Sequence, residues 1–238
     1  MPMYRVVSAE SRPGFALPFE PLHGFFADEE TAGKVTFAGI IGAADARPVT
    51  VDDAELEVLD DSGDAIGRYW LGRFELKPKN ISPAPGGSAS LEVPSCGGEP
   101  CPHEQAIWSR WRRGSILLGE WTRHPATQHG NWLHVVQNAW FTSGKHAMRC
   151  DTGDIVIDGQ HWSSKDSFYC AIGEAANGPG GCFGSNLAAL HDCVRSGSKA
   201  AQRYSVIWNA VETSRRALGD AFVTAVTEIF GQYNVEPR

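Results

Sequence analysis

No stretch of this chain is long and apolar enough to suggest a membrane helix, which needs a run of about 18 apolar residues. Basic residues are in the minority. The 21 Lys and Arg stand against 28 Asp and Glu, a formal net charge of −7. That balance argues against nucleic acid as the main partner, because phosphate binding needs a basic surface, and it is compatible with a basic protein partner. The opening residues, "MPMYRVVSAESRPG", lack the basic-then-apolar pattern of a secretory signal. The expectation is therefore a cytoplasmic protein without a membrane segment. Its six cysteines (Cys96, Cys101, Cys150, Cys170, Cys182 and Cys193) are then expected to be mostly reduced. Internal repeats and long low-complexity tracts are also missing. What remains is an ordinary globular composition over 238 residues, 42% apolar and 21% charged, long enough for one large domain or two small ones.

The hydrophobic patterning changes character along the chain. "KVTFAGIIGA", "AELEVLD" and "RYWLGRFELK" read as strands, with "DDSGDAIG" as the turn before the third. "EQAIWSRWRRG" reads as a short helix closed by Gly114, with Ile107, Trp108 and Trp111 at helical spacing. "SILLGEWT" and "NWLHVVQNAWFTSG" read as strands, and "KHAMRCDTGD" as a connector. Beyond it come a short buried strand "IVIDG" and an amphipathic helix over 164–176 carrying Phe168, Ile172 and Ala175 on one side. A glycine turn, a helix over 187–196, a strand "RYSVIWN", and helices in "AVETSRRALG" and "DAFVTAVTEIFGQY" follow. Strands alternating with helices predict a parallel α/β unit. The fold class expected is a two-domain α+β chain: a mainly-β domain over 1–148, of no recognised family, and a small α/β domain over 154–238.

The stretch that carries most information is "GPGGCFGSNLAALHDCV", residues 178–194. Asn186 suits a helix N-cap. Leu187, Leu190 and Val194 fall at i, i+3 and i+7 and predict a buried stripe, which places Ala188, His191, Asp192 and Arg195 on the opposite, exposed side. Three catalytic readings fail. A P-loop needs Lys followed by Ser or Thr after the glycines. A nucleophile elbow needs Gly-x-Ser-x-Gly after a strand, and Ser185 lacks the second glycine. Cys182 with His191 as base has no orienting third group.

This region resembles the barstar family of ribonuclease inhibitors. The family pattern is a strand ending in Asn/Asp-Gly, a helix, then aromatic-Gly-x-Asn-Leu-x-Ala-Leu-x-Asp-Cys, then a strand with Trp. It is met by Asp158-Gly159, Phe183-Gly184, Asn186-Leu187, Ala189-Leu190, Asp192-Cys193 and Trp208. The resemblance implies a three-stranded parallel sheet packed by helices, with the loop and second helix plugging the active site of a small secreted ribonuclease through carboxylates. It carries Asp192 over as the key acidic contact, and Leu187, Leu190 and Cys193 as core. Three positions depart from the best-known pattern: Ala188 replaces an acid, His191 a Trp, and Cys182 a Tyr.

The function that follows is an immunity protein binding a secreted toxic nuclease, with no catalytic residue, cofactor or metal of its own. Its partner-binding residues would be Asp192, His191, Ala188, Phe183, Cys182, Gly184 and Arg195, the glycines shaping a loop that lies flat on the partner. The alternatives are an enzyme or metal protein with its site in the N-terminal domain, or a scaffold that has lost inhibition. For the former, "CGGEPCPH" offers Cys96, Cys101 and His103 with only distant Cys150 as a fourth ligand, a weak zinc pattern read as a surface loop. His124, His129 and His134 recur at intervals of five without nearby carboxylates and read as structural or exposed. Trp108, Trp111, Trp121, Trp132 and Trp140 read as core of the N-terminal domain.

Overall fold

The computed structural model describes residues 1–8, 16–26, 34–41, 48–77, 81–83, 88–94, 102–145, 154–199 and 205–233. The chain divides into two compact units, Met1–Gly114 and Ser115–Arg238.

The first unit is β-rich. Strands β1 (Tyr4–Ser8), β2 (Ala16–Phe19), β5 (Val49–Leu59) and β6 (Ala65–Leu76) form one antiparallel sheet in the order β2-β1-β5-β6. Strands β3 (Leu22–His23), β4 (Lys34–Ile41), β7 (Ile81–Pro83) and β8 (Ser88–Pro94) form another, in the order β3-β4-β8-β7. Alternation sends Phe19, Phe37 and Phe74 inward from both sheets; Phe37 meets Phe19 edge-on with centroids 4.7 Å apart and Phe74 at 5.7 Å. A cross-strand row helps fix the register of the first sheet: Glu57 on β5 faces Arg5 on β1 and Arg68 on β6, and is ion-paired to both. Helix α1 (Pro102–Trp111) buries Trp108, whose indole donates to the Tyr69 hydroxyl at 2.7 Å while that hydroxyl donates to Glu104 at 2.8 Å. Burial pushes the Tyr69 phenol well above its ordinary value, so it keeps its proton for that bond.

The second unit begins with 3-10 turns at Glu120–Arg123 and Ala126–Gln128 and helix α2 (His129–Thr142). Strand β9 (Ile155–Asp158), helices α3 (Lys165–Asn177) and α4 (Leu187–Lys199), strand β10 (Val206–Asn209), and helices α5 (Val211–Leu218) and α6 (Asp220–Gln232) follow. β9 and β10 pair in parallel, Ile155 opposite Val206 and Ile157 opposite Trp208. A parallel pair requires a crossover, here supplied by α3 and α4. Trp208 and Phe168 fill the space between sheet and helices: the Phe168 ring lies 5.4 Å from Trp162, 5.4 Å from Trp208 and 5.5 Å from Phe222. The Trp208 indole N–H, which burial would otherwise orphan, donates to Ser214 on α5 at 3.0 Å.

Several expectations are corrected here. The strands expected over 115–122 and 131–144 are instead a 3-10 turn and α2. Trp132, Leu133, Val136 and Trp140 are all buried, and their spacing of one, four and eight residues is that of a helix face. The β-branched and aromatic residues of this run suggest a strand, but its periodicity decides otherwise. Among the described residues the parallel sheet has two strands, β9 and β10; residues 234–238 lie outside them. The chain's packing divides after Gly114, and α2 lies against α3 within the second unit. Trp121, Trp132 and Trp140 therefore belong to the core of the second unit, and Trp108 and Trp111 to that of the first. Most of the expected connector, residues 146–153, lies outside the described residues.

Candidate partner-binding surface

The glycine turn folds inward rather than outward. At Gly184 the backbone has φ +90°, and a Cβ there would come within 2.6 Å of the Leu190 amide nitrogen. Only glycine permits this conformation and this approach of the loop to the first turn of α4. At Gly181 a Cβ would lie 2.7 Å from the Gly173 carbonyl oxygen on α3, so the loop also presses against that helix. Asn177 then pins it, its side-chain amide donating to the Cys182 carbonyl at 2.7 Å.

The consequence for the expected contact residues is direct. Gly184, Phe183 and Cys182 are buried, and the two side chains fill the core under α4 instead of presenting themselves to a partner. Burial pushes the Cys182 thiol above its ordinary value and the Cys193 thiol up to about 12, so neither is a ready nucleophile.

Helix α4 is set in place by its cap and its buried side. The Asn186 side chain accepts from the Ala189 amide at 2.9 Å, the N-cap that its position predicts. Leu190, Cys193 and Val194 are buried, while Leu187, expected in the same stripe, is half-buried. The opposite side carries Ala188, Asp192 and Arg195, all exposed, with His191 at its edge. The Asp192 side chain is 64% exposed and receives Arg195 Nη2 on Oδ1 at 3.1 Å, one turn along the helix. His191 Nδ1 stands 3.6 Å from the same oxygen. So of the seven residues expected to bind a partner, the structure gathers Ala188, His191, Asp192 and Arg195 on one face and sequesters Cys182, Phe183 and Gly184 beneath it.

Residues 154–236 match the barstar family. The family's description is Barstar (barnase inhibitor), and the match spans β9 through α6. No curated protein and no solved structure matches the chain. The barstar-like part thus begins after α2, yet α2 and the turns before it pack on its α3. Glu174 of α3 accepts from the Gly119 amide through both carboxylate oxygens at 2.9 Å and from the Trp121 indole at 3.1 Å. Burial pushes its carboxyl above the ordinary range, against the pull of those donors.

The barstar-like α3 also receives His129 of α2. That ring is buried with both nitrogens engaged: Nε2–H donates to the His124 carbonyl at 3.0 Å, and Nδ1 accepts from the Ser167 hydroxyl at 2.7 Å. Burial holds its imidazole below the ordinary value, and the ring has no nitrogen left for a metal. His134 lies farther along α2, so the three histidines belong to the second unit. Among the described residues no group of three or more His, Cys, Asp or Glu is placed to hold a metal ion; Cys96, Cys101 and Cys150 lie outside them. No helix among the described residues is long and apolar enough to cross a membrane.

Two long-range contacts escape a reading of the sequence. Glu174 looks like one more polar residue near the end of a helix. Tyr233, whose hydroxyl lies 2.8 Å from His191 Nε2, is 42 residues away from its partner. Neither has a local signal that marks it.

Proposed function

We propose that the barstar-like part binds a secreted, toxic nuclease and blocks its active site, so that the protein acts in the cytoplasm as an immunity protein and catalyses nothing itself. The observation that supports this best is Asp192, a carboxylate held outward on a helix whose other side is locked by Leu190, Cys193 and Val194. A nuclease pocket shaped for phosphate offers cationic side chains, and a rigidly presented carboxylate takes the place of a phosphate oxygen among them. Binding exchanges the exposed Asp192–Arg195 pair, worth about 0.2–1 kcal/mol, for charge-assisted bonds formed away from water. Because Ala188 supplies no second acid, the electrostatic match rests mainly on Asp192.

The test is inhibition of ribonuclease activity by the full-length protein, with barnase as first probe and then any nuclease encoded beside this gene. Asp192→Ala should cost about 2–5 kcal/mol of binding, the range set by interfacial charge pairs of which barnase–barstar is the standard example. That is a loss of roughly thirty- to several-thousand-fold in affinity, while stability moves by about half a kcal/mol. Unchanged affinity in that variant would refute the role of this face. Tight binding without inhibition would instead favour the scaffold reading, to which the burial of Cys182 and Phe183 gives some support.

A further inference from the structure

The structure assigns Tyr233 to the partner-binding surface as a positioning residue that acts through His191; this rests on the reading of α4 given above. Helix α6 ends at Gln232, and the chain closes one further turn, the Tyr233 amide donating to the Phe230 carbonyl at 3.2 Å. Phe230 and Ile229 are buried, so the turn that carries Tyr233 is anchored to the core. From there the phenol meets His191 edge-on, with centroids 5.4 Å apart and the planes at 67°, and its oxygen lies 2.8 Å from Nε2.

The far side of the imidazole faces Asp192, Nδ1 lying 3.6 Å from Oδ1. The two neutral tautomers differ sharply in that setting. With the proton on Nε2, the ring donates to the tyrosine oxygen and turns the Nδ1 lone pair toward a carboxylate. With the proton on Nδ1, the tyrosine hydroxyl donates to Nε2 and an N–H dipole points at the carboxylate. The second arrangement is favoured by the Asp192 charge, and the hydroxyl of Tyr233 is the donor that completes it. Arg195 Nη2 lies 3.1 Å from the same Oδ1. Tyr233 thereby fixes the orientation of His191 beside the Asp192 carboxylate.

The experiment uses the full chain with Tyr233→Phe, which keeps the ring and removes the hydroxyl. Ring-nitrogen NMR of His191, at a pH about two units above the ordinary histidine value, is expected to show the proton on Nδ1 in the wild type and a shift toward Nε2 in the variant. A wild-type ring protonated on Nε2, or a variant with unchanged ring-nitrogen shifts, overturns the proposal. In parallel, affinity for barnase is measured for the wild type, Tyr233→Phe, His191→Phe and the double variant. Loss of one such hydrogen bond predicts a two- to about tenfold weaker complex for Tyr233→Phe. The hydroxyl should have no further effect once His191 is replaced. An equal loss in both backgrounds, or none in either, also overturns it. Failure of the wild type to bind barnase would count against the inhibitor reading alone, and the nitrogen signature would then decide the role of Tyr233.

Discussion

Replacing Glu174 with alanine should loosen the whole segment that precedes the barstar-like part. The side chain is the common acceptor for two donors, the Gly119 amide and the Trp121 indole. Removing it leaves both without a partner, and a buried orphaned donor costs about 1–3 kcal/mol. Gly119 is only half-buried and can recover water, so the expected total is about 2–4 kcal/mol. For a unit of this size each kcal/mol is worth about 4 °C, which puts the fall in melting temperature at about 8–16 °C. Thermal unfolding of the full chain measures that fall, and hydrogen exchange at the Gly119 amide localises it. Glu174→Gln adds a test of sign. Burial raises the Glu174 carboxyl above its ordinary 4.5 in the folded chain, so the folded state holds the proton longer than the unfolded one. The stability from that shift is present below pH 4.5 and lost as the pH rises through the folded value. The wild type should therefore lose stability relative to Glu174→Gln over that rise. A Glu174→Ala protein that melts within about 1 °C of the wild type, with Gly119 exchange unchanged, would refute this account of how the segment is held.

Gly184→Ala should cost at least about 2 kcal/mol, from the left-handed backbone and the clash with the Leu190 amide; a urea midpoint close to that of the wild type would show that the loop adjusts freely. His129, held below its ordinary 6.5 by burial, contributes stability that is present above pH 6.5 and is lost as the pH falls through its folded value. Melting temperatures recorded on either side of that window should fall toward acid in the wild type and less steeply in His129→Gln, and parallel curves for the two would remove His129 from the explanation.

What was legible in the sequence was what depends on near neighbours. Asn186 caps the helix it precedes, Leu190 and Val194 fall on its buried side, and Asp192 and Arg195 on its exposed side, because all of these are set by positions within two turns. The family motif could be read for the same reason. The fate of Cys182 and Phe183 could not, since their burial depends on the loop turning under α4 at Gly184 and pressing on α3. Helix α2 was misread because Val135, Val136 and three aromatic residues suggest a strand, while the packing partner that rewards their helical phase, α3, is far along the chain. The contacts of Tyr233 with His191 and of Glu174 with Trp121 span 42 and 53 residues and exist only once the helices have packed.

The Asp192–Arg195 pair bears on how fast a complex of the proposed kind would form. At a distance beyond the screening length of about 8 Å at physiological salt, a carboxylate joined to a guanidinium 3.1 Å away is a small dipole, and an approaching cationic pocket feels little of it. Long-range steering would have to come from the protein's overall negative charge, and this face would select its partner only after contact. Recognition at Asp192 would then be expressed in how slowly the partner leaves, once Arg195 has swung aside and given up the oxygen it holds.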